Sequence, residues 1–200
     1  MSAPRALIFI AQGTEELEFV TTYDILVRAG VSVESVYVGS SSDPDGPHST
    51  PFVTCSRGVK VVPDLSLPSL SGGKGLDRDA VIVPGGGPGA KTISENEDVQ
   101  ALLQKYYADG KVVGAICAGS LAIKTSGIAK DSTVTSHPSV KEELSKDYKY
   151  SEERVVVSDK LITSRGPGTA ILFALTIAEA LMGKEKRDEV AGPMVLSEKL

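Results

Sequence analysis

Cysteine and histidine are scarce in this chain, and their scarcity narrows its chemistry. With two of each in 200 residues, a structural zinc site made from four such side chains is not expected. Cys55 and Cys117 offer no disulfide framework either, and in a reducing compartment both stay free thiols. Long apolar runs are also lacking. The segment from Ala6 to Ala11 is too short for a signal peptide and passes directly into polar and acidic residues. Ala170 to Met182, the longest apolar stretch, is broken by Thr176 and Glu179 and is too short to cross a bilayer. Positive charge is not in excess: the net charge is −5, with lysines and arginines scattered among acids. No basic stripe is left for a phosphate backbone, so neither nucleic acid nor a membrane is an expected partner. What remains is a soluble intracellular protein, expected in the cytoplasm and also in the nucleus, whose residues 1–200 suit one domain.

What is present is a regular alternation of elements. Arg5 to Ile10 reads as a buried strand, and Glu15 to Ala29 as a helix stopped by Gly30. Val31 to Val38 is a second strand, followed by a Ser/Pro/Asp-rich surface loop from Ser40 to Thr50 that carries a solvated His48. Val59 to Val62 and Ala80 to Val83 are further strands, with a mobile loop over Ser71 to Gly75 between them. Ser94-Glu95-Asn96-Glu97 matches a capping box and starts a helix to Ala108, ended by Gly110. Val112 to Ile116 is a short buried strand, Thr133 to Thr135 another, and Ser139-Val140-Lys141-Glu142 a second capping box. Val155 to Val157 and Leu161 to Thr163 predict a hairpin around Ser158-Asp159-Lys160, and Ala170 to Leu181 an apolar helix stopped by Gly183. Strands alternating with helices predict an α/β fold, a doubly wound and mostly parallel sheet with one short antiparallel addition. The loops after Ile10, Val83 and Ile116 then leave one edge of the sheet and meet there.

Cys117 stands where a buried strand gives way to Ala118-Gly119-Ser120 and a helical run. A thiol there reaches the ligand edge of the sheet, and the free N–H groups of a helix start favour thiolate. Its pKa is expected to fall from about 8.5 to roughly 3.5–7.5; the bland alternative is a small buried hydrophobe. The run Pro84-Gly85-Gly86-Gly87-Pro88-Gly89-Ala90-Lys91-Thr92 is one residue short of a P-loop, with Ala90 where glycine is required. It also fits GxGxxA loosely, but no acid follows to hold a ribose. Glycine N–H groups approaching a small oxyanion beside Cys117 is the better reading, and a tight turn the plain one. Glu15, Glu16 and Glu18 fall in one helical turn, where acids commonly answer the helix dipole. Glu18 is chosen to face the cysteine, protonated by burial and like charge, although spacing alone does not separate the three. His137, before Pro138, is a proton-carrying or a structural histidine with equal weight. Arg165, within Thr163-Ser164-Arg165-Gly166-Pro167-Gly168-Thr169, serves an anionic group or simply a turn. Cys55 has no catalytic case.

The segments RALIFIAQGTEELE, VTCSRGV, AICAGSLA, TSHPSVK and TSRGPGTA, in this order, closely resemble those of the parkinsonism-associated deglycase (DJ-one) subfamily of the PfpI-like superfamily. The resemblance spans nearly the whole chain. It implies a flavodoxin-like sandwich, a homodimer with one active site per subunit, and no metal or organic cofactor. It makes Cys117 the nucleophile or redox-sensitive thiol, Glu18 its carboxyl partner and His137 the proton-transfer residue. Gly86 and Ala118 would donate backbone N–H groups to an oxyanion, with Arg57 and Arg165 near the site to bind anions. Gly87 and Pro88 replace larger side chains of that subfamily, and the Ser40 to Phe52 and Ser71 to Arg78 loops look longer, which alters the pocket. A PfpI-type peptidase places histidine where this chain has Ala118, and amidotransferases of related fold carry His-x-Glu where it has His137-Pro138-Ser139. The expected function is a glutathione-independent glyoxalase, a lyase turning methylglyoxal or glyoxal into the hydroxyacid. Removal of early glycation adducts, oxidation sensing or a redox-regulated chaperone at Cys117, and a cysteine hydrolase are the alternatives.

Overall fold

The computed structural model describes residues 3–39 and 52–197. The expected surface loop with His48 lies outside the described residues. The chain forms β1 (Arg5–Ile10), α1 (Glu16–Arg28), β2 (Ser32–Tyr37), β3 (Val53–Thr54), β4 (Lys60–Val61), β5 (Leu65–Ser66) and β6 (Ala80–Val83). It continues through α2 (Gly87–Glu95), α3 (Glu97–Ala108), β7 (Val112–Ile116), α4 (Leu121–Ser126), β8 (Thr133–Val134), α5 (Lys141–Leu144) and β9 (Lys149–Tyr150). The hairpin β10 (Val155–Ser158) and β11 (Leu161–Ser164) leads to α6 (Ala170–Met182) and α7 (Lys184–Ala191).

A seven-stranded sheet runs in the order β10-β11-β7-β6-β1-β2-β5. All its pairs are parallel except β10 with β11, the antiparallel addition expected from the turn around Asp159. The inner strands read as continuous apolar runs because both faces are covered. Ala6, Ile8 and Ile10 face the core built with α1, α6 and α7, while Leu7, Phe9 and Ala11 face the one built with α2, α3 and α4. Each large side chain withdrawn from water there contributes about 1.5–3 kcal/mol. Gly114 in β7 lets α6 close on the sheet, since a Cβ at that position would lie 2.9 Å from Ile177 Cδ1. The result is a flavodoxin-like sandwich in which the strand order reverses beside β1, between β2 and β6.

Local details differ from the sequence reading. Val59 to Val62 yields only β4, which pairs with β3 in a separate two-stranded ribbon rather than joining the main sheet. The glycine-rich run is a loop only to Gly86; from Gly87 it is α2, with proline in its first turn. Ser94 is therefore the end of one helix and not the cap of the next: its hydroxyl donates to the Lys91 carbonyl, and Asn96 caps α3 by accepting from Val99 N–H at 3.0 Å. The second capping box also fails, because His137 Nδ1 caps its turn by accepting from Ser139 N–H. Ser71 to Gly75 follows one 3-10 turn, Leu67–Leu70, and runs into another, Lys74–Asp77, which contains Lys74 and Gly75. Tyr106 donates to the Gly75 carbonyl at 2.5 Å. At this amino-end rim the buried Arg78 joins Glu34 at 2.7 Å, Asp77 and the Lys74 carbonyl, and Arg5 adds bonds to Glu34 and Asp77. No described helix is long and apolar enough to cross a membrane.

Candidate active site

Three loops converge at the carboxyl rim. The turn after β1 brings Gly13 to Glu15, the turn after β6 brings Gly85 and Gly86, and β7 delivers Cys117. Glu15 N–H donates to the Gly85 carbonyl at 3.0 Å, which joins the first two loops. Gly86 has φ of 86°, and a Cβ there would lie 2.2 Å from the Gly13 carbonyl oxygen. Only glycine fits such an approach. Cys117 itself has φ of 62°, a left-handed conformation that a side chain rarely adopts. Gly119 tucks the following turn against the Val83 and Pro84 carbonyls, where a Cβ would meet them at 2.5 Å. The strain at Cys117 is thus held in place by packing on both sides, the pattern of a residue whose direction matters more than its comfort.

Glu18 and Cys117 meet over Gly85. A Cβ on that glycine would lie 2.6 Å from Cys117 Cβ, 3.0 Å from its Sγ and 2.7 Å from Glu18 Oε2. Glu18 is fully buried; Oε2 accepts the Gly85 N–H at 2.7 Å, while Oε1 has no hydrogen-bond partner. Burial raises its pKa to about 7, the charge of Glu15 adds to the rise, and the Gly85 N–H and the thiol oppose it. The thiol moves contrary to the sequence expectation. Burial and the facing Glu18 carboxylate push Cys117 up to about 12, against the N–H groups of Ala118 and Gly86, which favour the thiolate. The 3-10 turn Cys117–Ser120 runs straight into α4, and the N–H groups at this helix start do not overcome the loss of solvent around the sulfur. Proton transfer from sulfur to carboxylate leaves the net charge of the pair unchanged. It converts S–H facing carboxylate into thiolate facing carboxylic acid, a change that the Ala118 and Gly86 N–H groups favour.

The three glutamates of the first turn hold three different positions. Glu15 caps α1 by accepting the Glu18 N–H, Glu16 binds the β3–β4 loop, and Glu18 faces the thiol. His137 lies beside the end of β11: a Cβ on Gly166 would be 3.6 Å from its Cδ2. Its Nδ1 lies 2.8 Å from Ser139 Oγ and accepts from Ser139 N–H at 3.2 Å. Arg165 follows Ser164, which pairs with Ile116, so Arg165 and Cys117 start from neighbouring strand ends. Its guanidinium is engaged by Glu152, at 2.9 Å to the carbonyl and 2.5 Å to the carboxylate. Arg57 is exposed, with its side chain on the Ser56 carbonyl and its backbone N–H on Glu16. Cys55 is buried, and burial with the nearby Glu16 and Glu15 charges raises it to about 11. Among the described residues, no three His, Cys, Asp or Glu side chains converge as a metal ligand set. The sequence reading missed the close approach at Gly85 and the role of Glu16; the glycine run signalled the first, and no local pattern signals the second.

Residues 4–180 match the DJ-1/PfpI family. The chain belongs to the DJ-1/PfpI family. The Parkinson disease protein 7 homolog of Danio rerio is 41% identical over 200 residues, covering 99% of this chain and 100% of its own. The glutathione-independent glyoxalase DJR-1.2 of Caenorhabditis elegans is 39% identical over 194 residues, covering 96% of each chain. Among solved structures, Drosophila melanogaster DJ-1beta superposes with a TM-score of 0.88 at 38% identity, covering 98% of this chain and all of its own. Within this DJ-1/PfpI fold, the cysteine and carboxyl lie at the carboxyl rim, where the loops after β1, β6 and β7 converge.

Proposed function

We propose that this protein is a glutathione-independent glyoxalase that converts methylglyoxal to lactate, with Cys117 as nucleophile and no metal or organic cofactor. The observation that carries the reading is the Cys117 thiol facing the buried Glu18 carboxyl across Gly85. The name of the Caenorhabditis elegans relative supports the same chemistry. Glu18 takes the thiol proton as sulfur adds to the aldehyde carbon and passes it to the new oxygen, which meets the Gly86 and Ala118 N–H groups; this gives a hemithioacetal and leaves the Glu18 carboxylate free for the next step. Removal of the proton on that carbon gives an enediol, and proton return to the neighbouring carbon gives a lactoyl thioester. Glu18, whose pKa near 7 suits both directions of transfer, serves these steps, with His137 as the second proton carrier. Water then cleaves the thioester to lactate and restores the thiol. The sequence is redox-neutral and adds one water overall.

Arg57 and Arg165 border the site in this reading, and the working unit is a homodimer. Its contact face is the outer side of α1 with the residue after β4, where Leu17, Val20, Val27 and Val62 are exposed. Removal of early glycation adducts from proteins or nucleotides would use the same thiol and the same proton carriers. Oxidation sensing is a second reading, favoured by one observation: Glu18 Oε1 is buried without a partner and suits an oxygen added to Cys117 sulfur.

The deciding experiment is direct detection of lactate from methylglyoxal by the reduced protein without glutathione, beside Cys117→Ala. Lactate formed by the wild type and lost in the variant is the expected result. Equal lactate in both, or none in either, would overturn the assignment.

A further inference from the structure

Glu16 is a buried carboxylate that the chemistry above does not use. It accepts Ser56 Oγ–H at 2.7 Å, Arg57 N–H at 2.6 Å and Val59 N–H at 3.5 Å, so three groups of the β3–β4 loop end on one side chain. The same loop is tied to the turn before α1 by Ser56 N–H on the Thr14 carbonyl, Gly13 N–H on the Thr54 carbonyl, and Thr54 N–H on Gln12 Oε1. Burial works to raise the Glu16 pKa, but its own backbone N–H, with Ser56 Oγ–H and the Arg57 and Val59 N–H groups of the loop, outweighs it and holds the group below the usual carboxylate value, so it is charged at neutral pH. Charge-assisted bonds of this kind are about twice as strong as neutral ones. The first turn of α1 is therefore held from two sides. Glu16 grips the ribbon loop, while two residues along the same turn Glu18 reaches the Gly85 N–H and the thiol.

We propose that Glu16 is a positioning residue for the Glu18–Cys117 pair: by pinning loop 56–59 to the first turn of α1, it fixes the point from which the Glu18 carboxyl meets the thiol. This rests on Glu18 and Cys117 being the reacting pair. If Glu16 slackens, the turn is free to rotate, Glu18 loses its alignment across Gly85, and proton transfer slows although neither reacting group has been changed.

A double-mutant cycle tests this, read by the rate at which iodoacetamide alkylates Cys117, followed on the Cys117 peptide by mass spectrometry so that Cys55 does not interfere. Glu16→Ala is expected to change that rate about fivefold or more in the wild-type background and less than about twofold in Glu18→Gln, because contacting networks are non-additive. Glu16→Gln, whose amide oxygen still accepts the Arg57 and Val59 N–H groups, is expected to stay within about twofold of wild type. Ser56→Ala removes one bond from the loop side without touching α1, and is expected to shift the rate in the same direction as Glu16→Ala. It serves as the deciding variant should Glu16→Ala fail to fold. Equal effects in both backgrounds, or a wild-type rate in both Glu16→Ala and Ser56→Ala, would overturn the proposal. Lactate formation is followed on the same preparations, with kcat expected to fall and KM to hold. A wild type that makes no lactate counts against the glyoxalase reading alone, since alkylation reports on the pair whatever its substrate.

Discussion

Glu18 combines full burial, one orphaned oxygen and a pKa near 7, and each of these bears on stability as well as on chemistry. Well below pH 4.5 both the folded and the unfolded carboxyl are protonated, and burial costs nothing in charge. As pH rises from 4.5 towards about 7, the unfolded carboxyl ionises first while the folded one keeps its proton. The native state then binds more protons than the unfolded one, so its stability falls with pH, by a total on the order of 3 kcal/mol. Glu18→Gln removes this slope while its amide oxygen can still accept the Gly85 N–H. Urea denaturation is expected to give similar midpoints for the two proteins at pH 4 and a higher midpoint for the variant at pH 8. Parallel curves across that range would place the buried proton elsewhere.

At the level of elements, caps and covered faces decide where each segment begins and what it touches. Asn96 separates α2 from α3 with one side-chain bond to Val99 N–H, so Asn96→Ala is expected to cost about 1 kcal/mol in urea denaturation with lactate formation unchanged. No loss of stability would show that the end of α2 supplies the cap by itself. The inner strands were legible because Leu7 to Ile10, Ala80 to Val83 and Val112 to Ile116 are buried on both faces and leave no polar alternation to confuse them. α2 was not legible, because its first turn is Gly87-Pro88-Gly89 and its apolar face rests on little more than Ala90 and Ile93. α7 escaped notice for the opposite reason: it is charged almost throughout and buries only Val190. Within the site, Cys117 was readable from its strand end and glycine neighbours. The division of labour among Glu15, Glu16 and Glu18 was not, since it depends on a ribbon some forty residues away folding back onto the turn.

Across the whole molecule, the outer face of α1 leaves Leu17, Val20 and Val27 about half exposed, and Val20 and Val27 line a groove of about 420 Å³ together with the more exposed Val62. A charge in the middle of that face is costly to bury without a partner. Val20→Asp is therefore expected to sediment as a 20.9 kDa monomer while the wild type sediments at twice that mass. Wild type at monomer mass, or variant and wild type both dimeric, would remove this face from the assembly. The two rims of the sheet also carry unrelated duties. The thiol and its carboxyl occupy the carboxyl rim, whereas the Arg78, Glu34, Asp77 and Arg5 cluster fastens the amino rim, at the opposite ends of β1 and β6. For anyone altering this protein, the amino rim is the place to change stability without touching either reacting group, since none of its ion pairs involves Cys117 or Glu18.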